Sequence, residues 1–216
     1  SRNTHKAPVS SITFITILFA LILFNGINNK SQAQAPAIQW QKCLGGPDGD
    51  AAYSIQQTND GGFIVAGVTS SNDGHVWGNH GGSDAWVVKL NSSMFIHMQK
   101  CLGGTGADFA YSIKQTSDGG FIVAGFTMSN DGDVSGNHGW NDAWVVKLNS
   151  SGDIEWQKCL GGTNDDWARS IKQTSDGGFI VAGFTASNDG DVSGNQGNSD
   201  AWVVKLTNEP DRINEI

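Results

Sequence analysis

A chain of 216 residues with 29 glycines, 4 prolines and 16% charged residues reads as a turn-rich globular protein, without the Ala, Leu, Glu and Lys runs that build long helices. Its formal charge of −8 argues against nucleic acid or an anionic membrane surface as partner, because a phosphate backbone needs a basic face. An acidic body suits cations instead.

In chain order, the first feature is the apolar run Ile12 to Phe24, preceded by Arg2 and Lys6 and followed by the small and polar stretch Ser31-Gln32-Ala33-Gln34-Ala35. This is the layout of a secretory signal peptide over residues 1–35, and the run is short of the about 20 residues a membrane helix needs. Cleavage is expected near Ala33 or Ala35, and Pro36 favours the first. The remaining chain is expected to be secreted or held at the outer cell surface, with no membrane span.

The rest, residues 36–206, is one pattern written three times. Cys43, Cys101 and Cys159 each sit in K-C-L-G-G, and the interval is 58 residues both times; Phe63, Phe121, Phe179 and Trp86, Trp144, Trp202 keep the same step. Lys114–Thr127 and Lys172–Thr185 are identical. The copies are drawn at about 38–95, 96–153 and 154–206 and are expected to share one conformation. The odd cysteine count and the repeat spacing argue against a complete set of disulfides, so the thiols read as small buried apolar groups.

Four strand-like runs punctuate the second copy: Ile96 to Leu102, Phe109 to Thr116, Phe121 to Thr127 and Asp142 to Leu148. Ser117-Asp118-Gly119-Gly120 makes a hairpin of the second and third, since Asp and Gly tolerate the positive φ of a tight turn. FIVAGFT and DAWVVKL are apolar on both alternating faces, so their sheets are expected to be covered on both sides. Four-stranded sheets stacked at this period are the blades of a β-propeller. The fold class is therefore all-β, a propeller-type repeat of three four-stranded blades. Trp86, Trp144 and Trp202 are expected in the core, with Trp40, Met98 and Trp156 as core of the first run.

Three blades are few for a ring that takes about four to eight. Ile38 to Leu44 could complete the last blade, or two chains could join as a homo-oligomer completing a ring. Residues 207–216 abandon the pattern and read as a truncated or irregular tail.

The motifs W-x-K-x-LGG, DGGF-IVAG, SNDGDVSGN and DAWVVKL, spanning Ile38 to Leu206, resemble the repeats of exported bacterial proteins built from tandem propeller-like units, known as β-propeller repeat or type IX secretion substrate proteins. The resemblance implies the fold and secretion, and little about activity. The chain departs from larger members in having three repeats and no recognisable sorting domain after Leu206.

Chemistry is expected in the loop between the third and fourth runs. Asp131, Asp133, Ser135 and Asp142, repeated as Asp189, Asp191, Ser193 and Asp200, place oxygens at calcium-loop positions 1, 3, 5 and 12, with Gly136 or Gly194 at the sharp turn. Asp at position 12 and Gly at position 9 depart from that pattern, and His75 and Trp77 break it in the first copy. The alternative is that these residues only form turns. Ca²⁺ is the one cofactor the spacing suggests. Trp77 and Trp140, the loop indoles, could stack on a sugar.

Asp50, Asp108 and Asp166 follow each LGG and read as solvated turn caps. No nucleophile, phosphate loop or paired-histidine motif stands out. The expectation is a secreted or cell-surface, non-enzymatic binding or scaffold module, with a protein or glycan as partner. A calcium-assisted, lectin-like propeller is the alternative, and a glycan-active propeller enzyme is a weaker one.

Overall fold

The computed structural model describes residues 34–208, so the signal peptide expected over residues 1–35, save its last two positions, and most of the tail lie outside the described residues. Two compact units divide the chain, residues 1–42 and 43–216. In the first, residues 34–42 form neither strand nor helix. The second holds eleven strands and, among the described residues, no helix. Among the described residues no helix is long and apolar enough to cross a membrane.

Three antiparallel sheets result. Sheet I contains β1 (Asp50–Gln57), β2 (Phe63–Thr69), β3 (Asp84–Leu90) and β4 (Ile96–Leu102) in sequential order. Sheet II repeats it with β5 (Asp108–Gln115), β6 (Phe121–Thr127), β7 (Asp142–Leu148) and β8 (Ile154–Leu160). Sheet III has only β9 (Asp166–Gln173), β10 (Phe179–Thr185) and β11 (Asp200–Leu206). This all-β stack is consistent with a propeller-like repeat, with three strands in the last sheet where four were expected.

The sheets are also out of phase with the repeat drawn from Ile96. Ile96–Leu102 pairs with Asp84–Leu90 as the last strand of the sheet before it. The cause is local: Asn91–Phe95 is a tight hairpin, with Asn91 N–H donating to Phe95 O and Met94 N–H to Asn91 O, both at 2.9 Å. The LGG segment then crosses to the next sheet.

The T-x-D-G-G turn between the first two strands of each sheet forms as its residues require. At the second, Gly119 takes φ +84°, Thr116 N–H donates to Gly120 O at 2.9 Å, and Asp118 Oδ1 accepts from Gly120 N–H at 2.9 Å. Lys147, buried, reaches back to Asp118 at 2.9 Å. Burial pushes Asp118 up, but hydrogen bonds from Thr116, Lys147 and Gly120 outweigh it and hold the carboxyl at about 2 instead of the usual 3.8. In the first and third copies, Asp60 and Asp176 are likewise lowered, chiefly by Lys89 and by Thr174 with Lys205. A carboxyl depressed in the folded state stabilises above its unfolded pKa, and that contribution is lost as pH falls through the folded value. The thermal midpoint should therefore drop between about pH 4 and pH 2. Asp118→Asn should make that drop shallower, as followed by circular dichroism.

Packing uses both faces of each sheet. The back face of sheet I, with Ile64, Ala66, Ala85, Val87 and Leu102, meets the front face of sheet II, with Ile113, Phe121, Val123, Trp144 and Val146. In the same way Ile122, Ala124, Ala143, Val145 and Leu160 meet Ile171, Phe179 and Val181 of sheet III, with Trp202 and Val204 partly buried against them. Double coverage is why DAWVVKL is apolar on both sides, and every residue of β3 and β7 is buried. In β11 the same seven residues alternate between half-buried and exposed, because no further sheet among the described residues covers the back of sheet III.

The first strands of successive sheets are tied by side chains: Ile113 N–H donates to Ser54 Oγ at 3.2 Å and Ile171 N–H to Ser112 Oγ at 3.3 Å. These bonds occupy edge amides that would otherwise invite another strand. Each first strand also carries a bulge where its register against the second strand shifts, at Tyr53, Tyr111 and Arg169.

Candidate functional site

The carboxylates of the loops are committed to the fold. Asp108 is fully buried; its Oδ2 accepts from Gly104 N–H at 2.8 Å and Ser129 Oγ at 2.7 Å, and its Oδ1 from Thr127 Oγ1. Asp166 repeats the set with Gly162, Ser187 and Thr185. In sheet I, Asp50 is bonded by Gly46, Thr69 and Ser71; burial pushes its pKa up, but those bonds outweigh it and leave the carboxyl below its usual value. The expectation of a solvated cap fails for Asp108 and Asp166: the LGG crossing wraps over them, so they cap the turn from inside.

The calcium-loop residues do not converge. Asp131 accepts from Thr105 N–H and Thr105 Oγ1, both at 2.8 Å, and these donors lower its pKa. Asp133 takes Gly103 N–H at 3.3 Å. Ser135 Oγ accepts from Gln157 Nε2 at 2.7 Å. Asp142 accepts the His138 N–H at 3.1 Å and pairs with the His138 ring. In the third copy Asp189 holds Thr163 N–H at 2.9 Å, Asp191 holds Gly161 N–H at 3.3 Å and Asp200 holds Gln196 N–H at 2.8 Å. Ser193 stands where Ser135 does, in the sheet that lacks a fourth strand and its glutamine. Among the described residues no three His, Cys, Asp or Glu side chains form a group that could hold a metal. Addition of Ca²⁺ at about 1 mM, the range of weak extracellular sites, is expected to leave the thermal midpoint unmoved. A rise of several degrees would show that the loops rearrange to bind it.

The His–Asp pairs have the same structural logic. His80 Nδ1 lies 2.6 Å from Asp84 Oδ2, and both Asp84 and Asp142 are fully buried. Burial raises both carboxyls, against the opposing pull of the adjacent histidine. The third copy does the job with the Gln196 backbone, so an imidazole is not required there.

The thiols divide. Cys101 and Cys159 are buried and pushed up to about 12 by burial, the state of an inert core thiol, whereas Cys43 is exposed. Trp86 and Trp144 are core as expected. Each donates Nε1–H to a glutamine of the fourth strand, Gln99 or Gln157, at 2.8 Å. Trp156, on edge strand β8, and Trp40, in no strand, are 37% and 42% exposed, which corrects the expectation of a buried first strand.

Both loop indoles stand out: Trp77 is 60% and Trp140 72% exposed. Trp77 borders a cleft of about 440 Å³ between sheets I and II, lined also by His80, Lys100, Asp133 and Asp153. Gln99 Nε2 donates to Trp77 O at 2.9 Å and so anchors the backbone beneath the indole to β4. Lys100 and Asp153 pair at 2.9 Å across the cleft. Trp140 lies outside this lining.

One feature escaped the sequence reading. The first strands, together with Phe126 of β6, carry a ladder of rings: Tyr53 and Tyr111 have centroids 5.2 Å apart, Tyr111 and Trp167 6.0 Å, and Phe126 and Trp167 4.3 Å. Arg169 caps it 4.1 Å over Tyr111 and 4.6 Å over Trp167. Its signal was present in the sequence, since Tyr53, Tyr111 and Arg169 share one repeat position, where arginine replaces tyrosine in the third copy between the same Ala and Ser-Ile.

No protein-family model matches the chain, and no relative is found among curated proteins.

Proposed function

We propose that this chain is an exported, non-enzymatic binding module of the cell surface or the surrounding medium, and that its ligand is a carbohydrate. The observation that carries the reading is the cleft of about 440 Å³ between sheets I and II with Trp77 at its rim. An exposed indole beside an ammonium, two carboxylates and an imidazole offers what a sugar requires: a flat apolar face for its C–H groups and polar groups to meet its hydroxyls. The non-enzymatic part is supported by the use of the repeated acids, Asp50, Asp108 and Asp166, in holding turns.

The test is binding of the purified chain to a glycan array, followed by calorimetry with the best sugar. Trp77→Ala is expected to weaken binding about 10-fold, the worth of one well-placed aromatic contact, with the fold unchanged. Release of reducing sugar would favour the glycan-active enzyme. Silence on both would remove the carbohydrate and leave a protein scaffold.

A further inference from the structure

The two ends of the stack are unlike its middle, and they are complementary to each other. At the back of sheet III, Val203 is 65% exposed and Ala182 and Ala201 are exposed, whereas their equivalents Val145, Ala124 and Ala143 are buried against the next sheet. At the front of sheet I, Ile55 is 56% exposed and Ala52 exposed, whereas Ile113, Ile171, Ala110 and Ala168 are buried against the sheet before. The residue types that the fold joins twice inside the chain are thus presented a third time, one partner at each end.

A strand is treated the same way. Sheet III ends at β11, which among the described residues has a neighbour on one side only, where β3 and β7 pair with β4 and β8. The chain does contain a third version of that fourth strand. Ile38–Leu44 reads IQWQKCL beside IHMQKCL of β4 and IEWQKCL of β8, and all three run on into Gly-Gly. The segment forms no strand of its own. The turn that follows it is already built, with Gly46 N–H on Asp50 Oδ2 at 2.8 Å as Gly104 N–H is on Asp108. Gln41 occupies the place of Gln99 and Gln157, which accept the core indole N–H in sheets I and II; the equivalent indole in sheet III is Trp202.

We propose that chains join head to tail, the end of sheet III on one copy taking Ile38–Leu44 of a second copy as its fourth strand and packing its back face on the front of that copy's sheet I. The register follows from the pairing of Trp86 with Cys101 and Val88 with Gln99: Trp202 stands opposite Cys43, and Val204 opposite Gln41. One contact completes a sheet, covers Val203 and Ala182, and covers Ile55 and Ala52. The same contact repeated closes a ring of two copies or extends a chain of them. It is independent of the carbohydrate reading, because the cleft at Trp77 lies between sheets I and II.

The test is light scattering of the purified chain across a concentration series, with three variants. Wild type is expected to reach the mass of two or more chains. Val203→Glu and Ile55→Glu should each weaken association by about 100-fold, the effect of an unpaired charge in a desolvated contact. Both positions are exposed in the single chain, so near-ultraviolet circular dichroism should stay native. The decisive arm is the equimolar mixture: each variant retains the face the other lacks, so the mixture should form a heterodimer that neither forms alone. Gln41→Pro, which removes a strand amide outside every existing strand, should also abolish association. A monomer at every concentration, as when Ile38–Leu44 pairs within its own chain, would overturn the proposal. So would association that survives both glutamates, or a mixture that stays monomeric.

Discussion

Replacing Asp108 by alanine is expected to destabilise the chain by about 4 kcal/mol, because it strands three donors in a place water does not reach. The carboxylate is fully buried and accepts from Gly104 N–H, Ser129 Oγ and Thr127 Oγ1. Those three groups belong to the LGG crossing, to the segment after β6 and to β6 itself. One side chain therefore joins the entry of sheet II to the strand beside it. A buried donor left without its acceptor costs about 1–3 kcal/mol, and more when the acceptor was charged. Asp50→Ala is a useful control: the same bonds exist at the half-buried front end of the stack, so its cost should be smaller. Urea denaturation gives both numbers, and a loss below about 1 kcal/mol at Asp108 would refute the account.

Gly125→Ala should cost about 3 kcal/mol for a different reason. A Cβ at Gly125 would stand 1.6 Å from the carbonyl oxygen of Phe109 and 2.7 Å from its carbon. The obstacle is backbone, which cannot rotate away as a side chain can, so the bulge around Tyr111 must shift or open. Gly67 and Gly183 meet Ala51 and Trp167 in the same way, at 1.8 Å and 1.7 Å. The comparison is Gly119→Ala, where φ is +84° and nothing lies within 4 Å of the added carbon. That change carries only the left-handed strain of about 1 kcal/mol. Melting curves should therefore rank Gly125→Ala well below Gly119→Ala. Equal losses would mean that glycine serves in the VAG segment only for its backbone freedom.

Much of the fold was legible in the residues themselves. Alternation, the 58-residue step and the D-G-G turns dictate short antiparallel strands, because side-chain period and positive φ are local properties. DAWVVKL, apolar on both faces, demands cover on both faces, and in β3 and β7 it has it. Local rules could not say which sheet a strand joins. IHMQKCL suits the start of one sheet as well as the end of another, and the hairpin at Asn91–Phe95 decides for the latter.

The chemistry of the loops was less legible. Asp131, Asp133, Ser135 and Asp142 have calcium spacing along the chain, but spacing does not say where donors will be. The LGG crossing brings the Thr105 and Gly103 amides to Asp131 and Asp133, and the loop turns the His138 ring onto Asp142. Each carboxylate thus already holds a donor on at least one oxygen before an ion is considered. The cleft under Trp77 likewise exists only because sheets I and II meet, with residues from both.

By itself, then, the sequence determined strand, turn and repeat, since these depend on residues a few positions apart. Tertiary structure alone decided the phase of the sheets, the partners of the buried carboxylates and the fate of the end faces. Each depends on what lies across a gap from a residue. Val145 and Val203 have identical neighbours in the chain, and only the next sheet, which follows the first and among the described residues does not follow the second, makes one core and the other surface.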